Sequence, residues 1–170
     1  EVYFFVVRPV VGMPVVSIKI GDHCYHGLCD MGASVSVIPF TLYQEIMNDI
    51  APAEIEEIDV TIELTNRDTT SPVGIVRDVE VLCGKVKYPP DFLVLGSPQD
   101  DFCPIIFGRP FLNTVNAKID CKKDVVTIGL DDMSHEFNFS KFSKQHVKKN
   151  CLVRMKLLVL LLLLYLLVIL

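Results

Sequence analysis

The chain has 170 residues, 51% of them hydrophobic and 22% charged, with a formal net charge of −5 at neutral pH. That length and composition fit one domain with its own apolar core and exclude intrinsic disorder. Without residues 151–170, which hold two cations and no acids, the rest carries 14 cations against 21 acids; for want of clustered lysine and arginine, nucleic acid is excluded as a primary ligand.

No secretory signal opens the chain, and its start at Glu1 rather than Met reads as a piece of a longer polypeptide. Residues 1–12 form an apolar N-terminal extension, and a single domain is expected over residues 13–140. Val15–Ile20 alternates as a half-buried strand, Gly21-Asp22 turns, and Cys24–Cys29 returns as the second arm of a hairpin that delivers the chain to Asp30. Val35–Pro39 alternates again, and Thr41 is expected to cap a short helix from Leu42 to about Met47. Glu54–Ile58 is acidic and predicted to be exposed, and Val60–Leu64 is predicted as a strand. Asn66–Pro72 is a polar projecting loop closed by Val73-Gly74. Ile75–Leu82 is expected to be one continuous strand, with Ile75, Arg77, Val79 and Val81 on one face. Cys83-Gly84-Lys85 turns the chain into Val86–Leu95, a strand broken by Pro89-Pro90. After a polar loop at 96–103, Ile105-Ile106-Phe107 is a short apolar strand running into Gly108-Arg109-Pro110 and a helical turn over Phe111–Val115. Ala117–Cys121 and Val125–Gly129 form a hairpin, and His135–Phe139 is a last strand. Many short strands with frequent turns predict an all-β, barrel-like domain with one or two short helices.

Six cysteines show no C-x-x-C pair and no zinc-knuckle spacing, which fits reduced thiols in a cytosolic domain. His23, Cys24, His26 and Cys29 lie close in sequence, but strand alternation puts Cys24 and His26 on one face and His23 on the other, so no metal is expected there. Residues 141–156 are a basic linker, and Leu157–Leu170 is an unbroken apolar run of 14 residues. As a helix that run spans about 21 Å, short of the roughly 30 Å hydrocarbon core. Extended back to Cys151, with Arg154 and Lys156 at one interface, it would serve as a membrane anchor; the other reading is an appendage from flanking sequence.

One constellation carries chemistry. Asp30-Met31-Gly32-Ala33-Ser34 sets a carboxylate in a tight glycine-containing loop at the end of a strand. Gly108, closing an apolar strand, follows 78 residues after Asp30, and the polar loop at 66–74 lies between the two. These three elements, in this order, resemble the retropepsin family of aspartic proteases. The phrases Cys29–Pro39, Pro72–Val79 and Pro104–Leu112 are most similar to those of Ty3/Gypsy-type plant retrotransposon polyproteins.

The resemblance implies a single-lobe acid protease that is active as a homodimer, with Asp30 and its symmetry mate sharing one water and one proton. Met31, Gly32, Ala33 and Ser34 would form the active-site loop, and Asn66, Arg67, Asp68, Val73 and Gly74 a flap over the substrate. Ile105, Ile106, Gly108 and Arg109 would support the loop, with Arg109 in a structural salt bridge or pairing with an acid at the dimer interface. The substrate would be a polypeptide, chiefly the polyprotein that contains the domain, in the cytoplasm or a virus-like particle, and no cofactor or metal is implied. Ala33 stands where two-lobed relatives have a hydroxyl bonded to the carboxylate, so the pair should be less acidic and work at about pH 5–6. Met31 departs from the family, whose Thr or Ser there bonds across the dimer, so the grip between loops would rest on packing. That departure keeps open a second reading, a catalytically inactive retropepsin-fold module for dimerisation or peptide binding. On the residues alone, Asp30 also reads as a turn aspartate, Asp78, Asp120, Asp131 and Asp132 as solvated, and Ser34 and Ser36 lack a histidine placed for a triad.

Overall fold

The computed structural model describes residues 12–49, 54–63, 69–96, 104–129, 133–140 and 142. The apolar tail, nearly all of the extension and linker, and the loop tip at 66–68 lie outside these residues. Among the described residues no helix is long and apolar enough to cross a membrane.

Thirteen short strands and two helices follow in chain order among the described residues. The first strands are β1 (Val15–Ile20), β2 (His23–Cys29) and β3 (Val37–Pro39), followed by helix α1 (Phe40–Asp49). Next come β4 (Ile62–Glu63), β5 (Thr69–Thr70), β6 (Gly74–Val76), β7 (Val81–Cys83), β8 (Val86–Tyr88) and β9 (Phe92–Leu95). The chain closes with β10 (Ile105–Phe107), α2 (Arg109–Thr114), β11 (Lys118–Asp120), β12 (Val125–Ile128) and β13 (His135–Asn138).

Eight strands form one sheet in the order β6-β9-β3-β10-β2-β1-β7-β8. β11-β12-β13 form a second sheet, and β4-β5 a separate two-stranded hairpin. Alternation builds the sheet from the sequence: in β1, Val16, Ile18 and Ile20 are buried while Ser17 and Lys19 face water. The main core gathers these with Ile38, Phe92, Ile105, Phe107 and the buried side of α1, Leu42 and Ile46. A smaller apolar cluster of Val37, Leu93 and Leu95 stands apart, flanked by half-buried Val35, Ile58, Ile62, Ile75 and Ile106.

Several local expectations are corrected. α1 begins at Phe40, directly after Pro39, so Thr41 lies inside the helix and does not cap it. β3 is shortened to Val37–Pro39, with Ser36 at its edge: its carbonyl still joins the ladder to β9, accepting from Leu93 N–H at 2.9 Å. Only Ile62–Glu63 of the predicted Val60–Leu64 strand is paired among the described residues. Glu54–Ile58 is not simply solvated, since Ile55 and Ile58 are half-buried and Glu56 bridges Ile75 through two backbone hydrogen bonds of 2.9 Å. Ile75–Leu82 is two strands, not one. Asp78 takes a left-handed φ of 52°, which breaks the ladder and reverses its parity: Val76 is buried before the kink, and Val79 and Val81 after it. α2 starts at Arg109 rather than Phe111, because Pro110 fits the first turn of a helix, where no N–H is needed.

Candidate active site

Sheet order builds the site. β2 and β3 are consecutive in the chain, yet β10 lies between them, parallel to β2 with Phe107 opposite Cys29 and antiparallel to β3 at Val37. The connection 30–36 must therefore cross the end of β10, which brings Asp30 beside Gly108 despite their sequence separation. Asp30 N–H donates to the Phe107 carbonyl at 2.9 Å, and the preceding Cys29 N–H donates to Pro14 at 2.8 Å.

The loop is fixed internally as well. Gly32 N–H donates to Asp30 Oδ1 at 2.7 Å, and Ala33 N–H to the Asp30 carbonyl at 3.2 Å. The first of these bonds is short and holds one carboxylate oxygen of Asp30 against the loop backbone. Gly32 is not in a left-handed conformation; its value lies in closeness, since a Cβ there would stand 3.1 Å from Asp30 Oδ1.

From the other side, β10 and α2 brace the loop. Arg109 N–H donates to the Ala33 carbonyl at 3.0 Å, and Arg109 Nη1 to the Met31 carbonyl at 3.3 Å. Arg109 thus braces the loop through backbone carbonyls, and among the described residues it makes no ion pair, unlike the salt bridge expected from the sequence. Gly108 N–H donates to Ser36 Oγ at 3.1 Å. A Cβ on Gly108 would lie 2.5 Å from the Val35 carbonyl carbon and 3.0 Å from the Ala33 oxygen, so only glycine allows this approach. Ile105 is fully buried in the core and Ile106 half-buried beside the smaller cluster.

Asp30 is half-buried, whereas Met31, Gly32 and Ser34 are exposed, Met31 to 63%. Ser34 makes no side-chain hydrogen bond among the described residues. Of the expected flap, Asn66, Arg67 and Asp68 lie outside the described residues. The arms on either side are paired, Ile62 with Thr70 and Glu63 with Thr69. Val73 is exposed and its N–H donates to Val94 at 2.8 Å. Gly74 is not on a projecting loop: it is buried in β6, where a Cβ would come 2.5 Å from the Glu56 carbonyl oxygen. Its place is at the anchored base of the hairpin.

Two site residues escaped the sequence reading. Phe107 is expected from the sequence only as part of the short strand beneath the loop, yet its carbonyl is the group that holds Asp30, and its ring stacks on Phe111 at 3.9 Å. Ser36 was weighed only as a nucleophile. Its signal was a lone hydroxyl between apolar Val35 and Val37, a buried polar group that needs a partner.

No family model matches the chain, and no curated protein matches it in sequence. Among solved structures, the retroviral protease-like domain of Ddi1 from Leishmania major superposes with a TM-score of 0.51 at 18% identity, over 75% of this chain and 92% of that one. The fold is retropepsin-like. Mostly β with two short helices, it agrees with the fold class expected from the sequence.

Proposed function

We propose that this chain is a single-lobe aspartic endopeptidase, active as a homodimer in which two Asp30 carboxylates share one water. The observation that carries the reading is the presentation of Asp30: a carboxylate at the end of β2, braced from below by β10, with one oxygen bonded to Gly32 N–H. One carboxylate cannot supply both acid and base, so the site is complete only with a second copy. In the pair, the ionised carboxylate takes a proton from the water as it attacks the peptide carbonyl, and the protonated one donates to the carbonyl oxygen.

The substrate is an extended polypeptide, chiefly the polyprotein of a Ty3/Gypsy-type element, in the cytoplasm or a virus-like particle. The β4–β5 hairpin, whose half-buried Ile62 is apolar, closes over it. Cleavage of an apolar peptide library at micromolar protein, from pH 4 to pH 7, tests this beside an Asp30→Ala variant. Cleavage confined to the unaltered chain supports the reading, and equal behaviour of the two proteins leaves the inactive dimerisation module in its place.

A further inference from the structure

A cavity of about 410 Å³ opens where the chain leaves the active-site loop. Its floor is Val35 and Ser36, the residues that lead the chain out of that loop, and one wall is Pro110, Phe111 and Thr114 of α2. A further wall is Tyr88, Pro89, Pro90 and Leu93, with Tyr88 edge-on to Phe111 at 6.0 Å. Val35, Ile75 and Leu93 belong both to this cavity and to the smaller apolar cluster, so the two are continuous.

The charged residues that line it, Asp78 and Asp91, are both acids, and both are exposed. Asp91 is engaged: its carboxylate accepts from Arg77 at 3.2 Å and from Asp78 N–H at 3.0 Å. Arg77 is itself shared with Glu56 at 2.6 Å. The Asp78 carboxylate has no hydrogen bond or ion pair among the described residues, while Arg77 is already paired with two acids, Glu56 and Asp91. Tyr88 adds an independent sign: it is 5% exposed, and its hydroxyl is buried without a hydrogen-bond partner among the described residues.

We propose that this cavity takes an arginine side chain of a polypeptide bound to the chain, a recognition point several residues from the scissile bond. The aliphatic stem lies along Val35, Leu93 and the proline wall, and the guanidinium reaches the Asp78 and Asp91 carboxylates. Apolar walls with an acidic rim suit a long cationic side chain better than an aliphatic one, which would leave the acids without a partner, or a compact ammonium, which would leave the walls unfilled. Because Ser36 accepts from Gly108 N–H, an occupant also bears on the brace of the catalytic loop.

The part of the proposal that concerns substrate rests on the proteolytic reading; binding in the cavity does not. The test titrates N-acetyl-arginine methylamide, and its uncharged citrulline counterpart, into the full chain while amide NMR signals are followed. Expected are saturable shifts at Ser36, Leu93 and Thr114, with arginine binding about tenfold tighter than citrulline. Asp78→Asn, which keeps the shape and tolerates a left-handed backbone, should erase that preference. Equal binding of the two probes, shifts confined to other residues, or an undiminished preference in Asp78→Asn overturns the proposal. The probe comparison on the unaltered chain stands whatever the variant does. Arginine binding by a chain that cleaves nothing supports the cavity and overturns the proteolytic reading alone. Cleavage without arginine binding overturns the cavity alone.

Discussion

At Gly108 the backbone of α2's first turn passes so close to Val35 and Ala33 that a single methyl group has nowhere to go. The neighbours are carbonyl atoms of the 30–36 connection rather than flexible side-chain ends, so relief requires that connection itself to move. Gly108→Ala is expected to cost about 3 kcal/mol, read as a lowered urea midpoint, and to abolish cleavage. A loss below about 1 kcal/mol would show that the loop yields. Ser36→Ala leaves the Gly108 N–H buried without its acceptor, an expected cost of about 1–3 kcal/mol by the same measurement. Met31 poses the opposite question, because in the proposed dimer its exposed apolar side chain would stand where the retropepsin resemblance calls for a hydroxyl bonded to the other copy. Met31→Thr would restore two such bonds in a symmetric pair and tighten self-association about tenfold by sedimentation, and weaker association would show that the methionine itself packs at the interface.

At the base of the hairpin that would close over a substrate, β6 is held both by β9 and by a bridge to Glu56. Glu56 bridges Ile75 through the backbone and receives the Arg77 guanidinium at 2.6 Å. The hydrogen bond and charge of Arg77 lower the Glu56 pKa below its ordinary 4.5. A carboxylate depressed in the folded state stabilises above its unfolded pKa, and that contribution fades as pH falls through the folded value. Amide exchange in β6 should therefore quicken as pH drops below about 4.5 after correction for intrinsic rates, and Glu56→Gln should remove that step. An unchanged pH profile in the variant would exclude Glu56 as the latch.

Element by element, the sequence was legible where alternation ran unbroken. β1, β2, the β11–β12 hairpin and the Asp30 and Gly108 motifs stood where their residues put them, because each is a local pattern of apolar and turn-forming side chains. It was less legible where a single backbone angle decided the outcome: the left-handed Asp78 reverses which face of 75–82 is buried, and no periodicity reveals it. Tertiary hydrogen bonds were hidden for another reason. Ser36 and Gly108 are 72 residues apart, and only the insertion of β10 between β2 and β3 brings them together.

Across the whole molecule, the core separates the cysteines by reactivity. Cys83 is 2% exposed, and burial pushes its thiol pKa up to about 12, whereas Cys24 and Cys121 are exposed. A thiol raised in this way favours the fold while both states are protonated. That contribution is lost as pH rises from the ordinary value near 9 towards 12, so stability should fall over that window. At pH 8 an aromatic disulfide reagent should label Cys24 and Cys121 in the folded chain and reach Cys83 only on unfolding, as peptide mapping would show. Early labelling of Cys83 would mean that the β7–β8 edge opens readily.

A retropepsin-like lobe presenting one braced carboxylate makes the second copy the central question. Cleavage by the unaltered chain, measured with increasing Asp30→Asn chain added in excess, tests it most directly. At a fixed amount of unaltered chain, shared Asp30 carboxylates predict that activity falls in proportion to the unaltered fraction, as mixed dimers form with one carboxylate missing. Activity that simply follows the amount of unaltered chain, or persists in Asp30→Asn alone, would contradict the account.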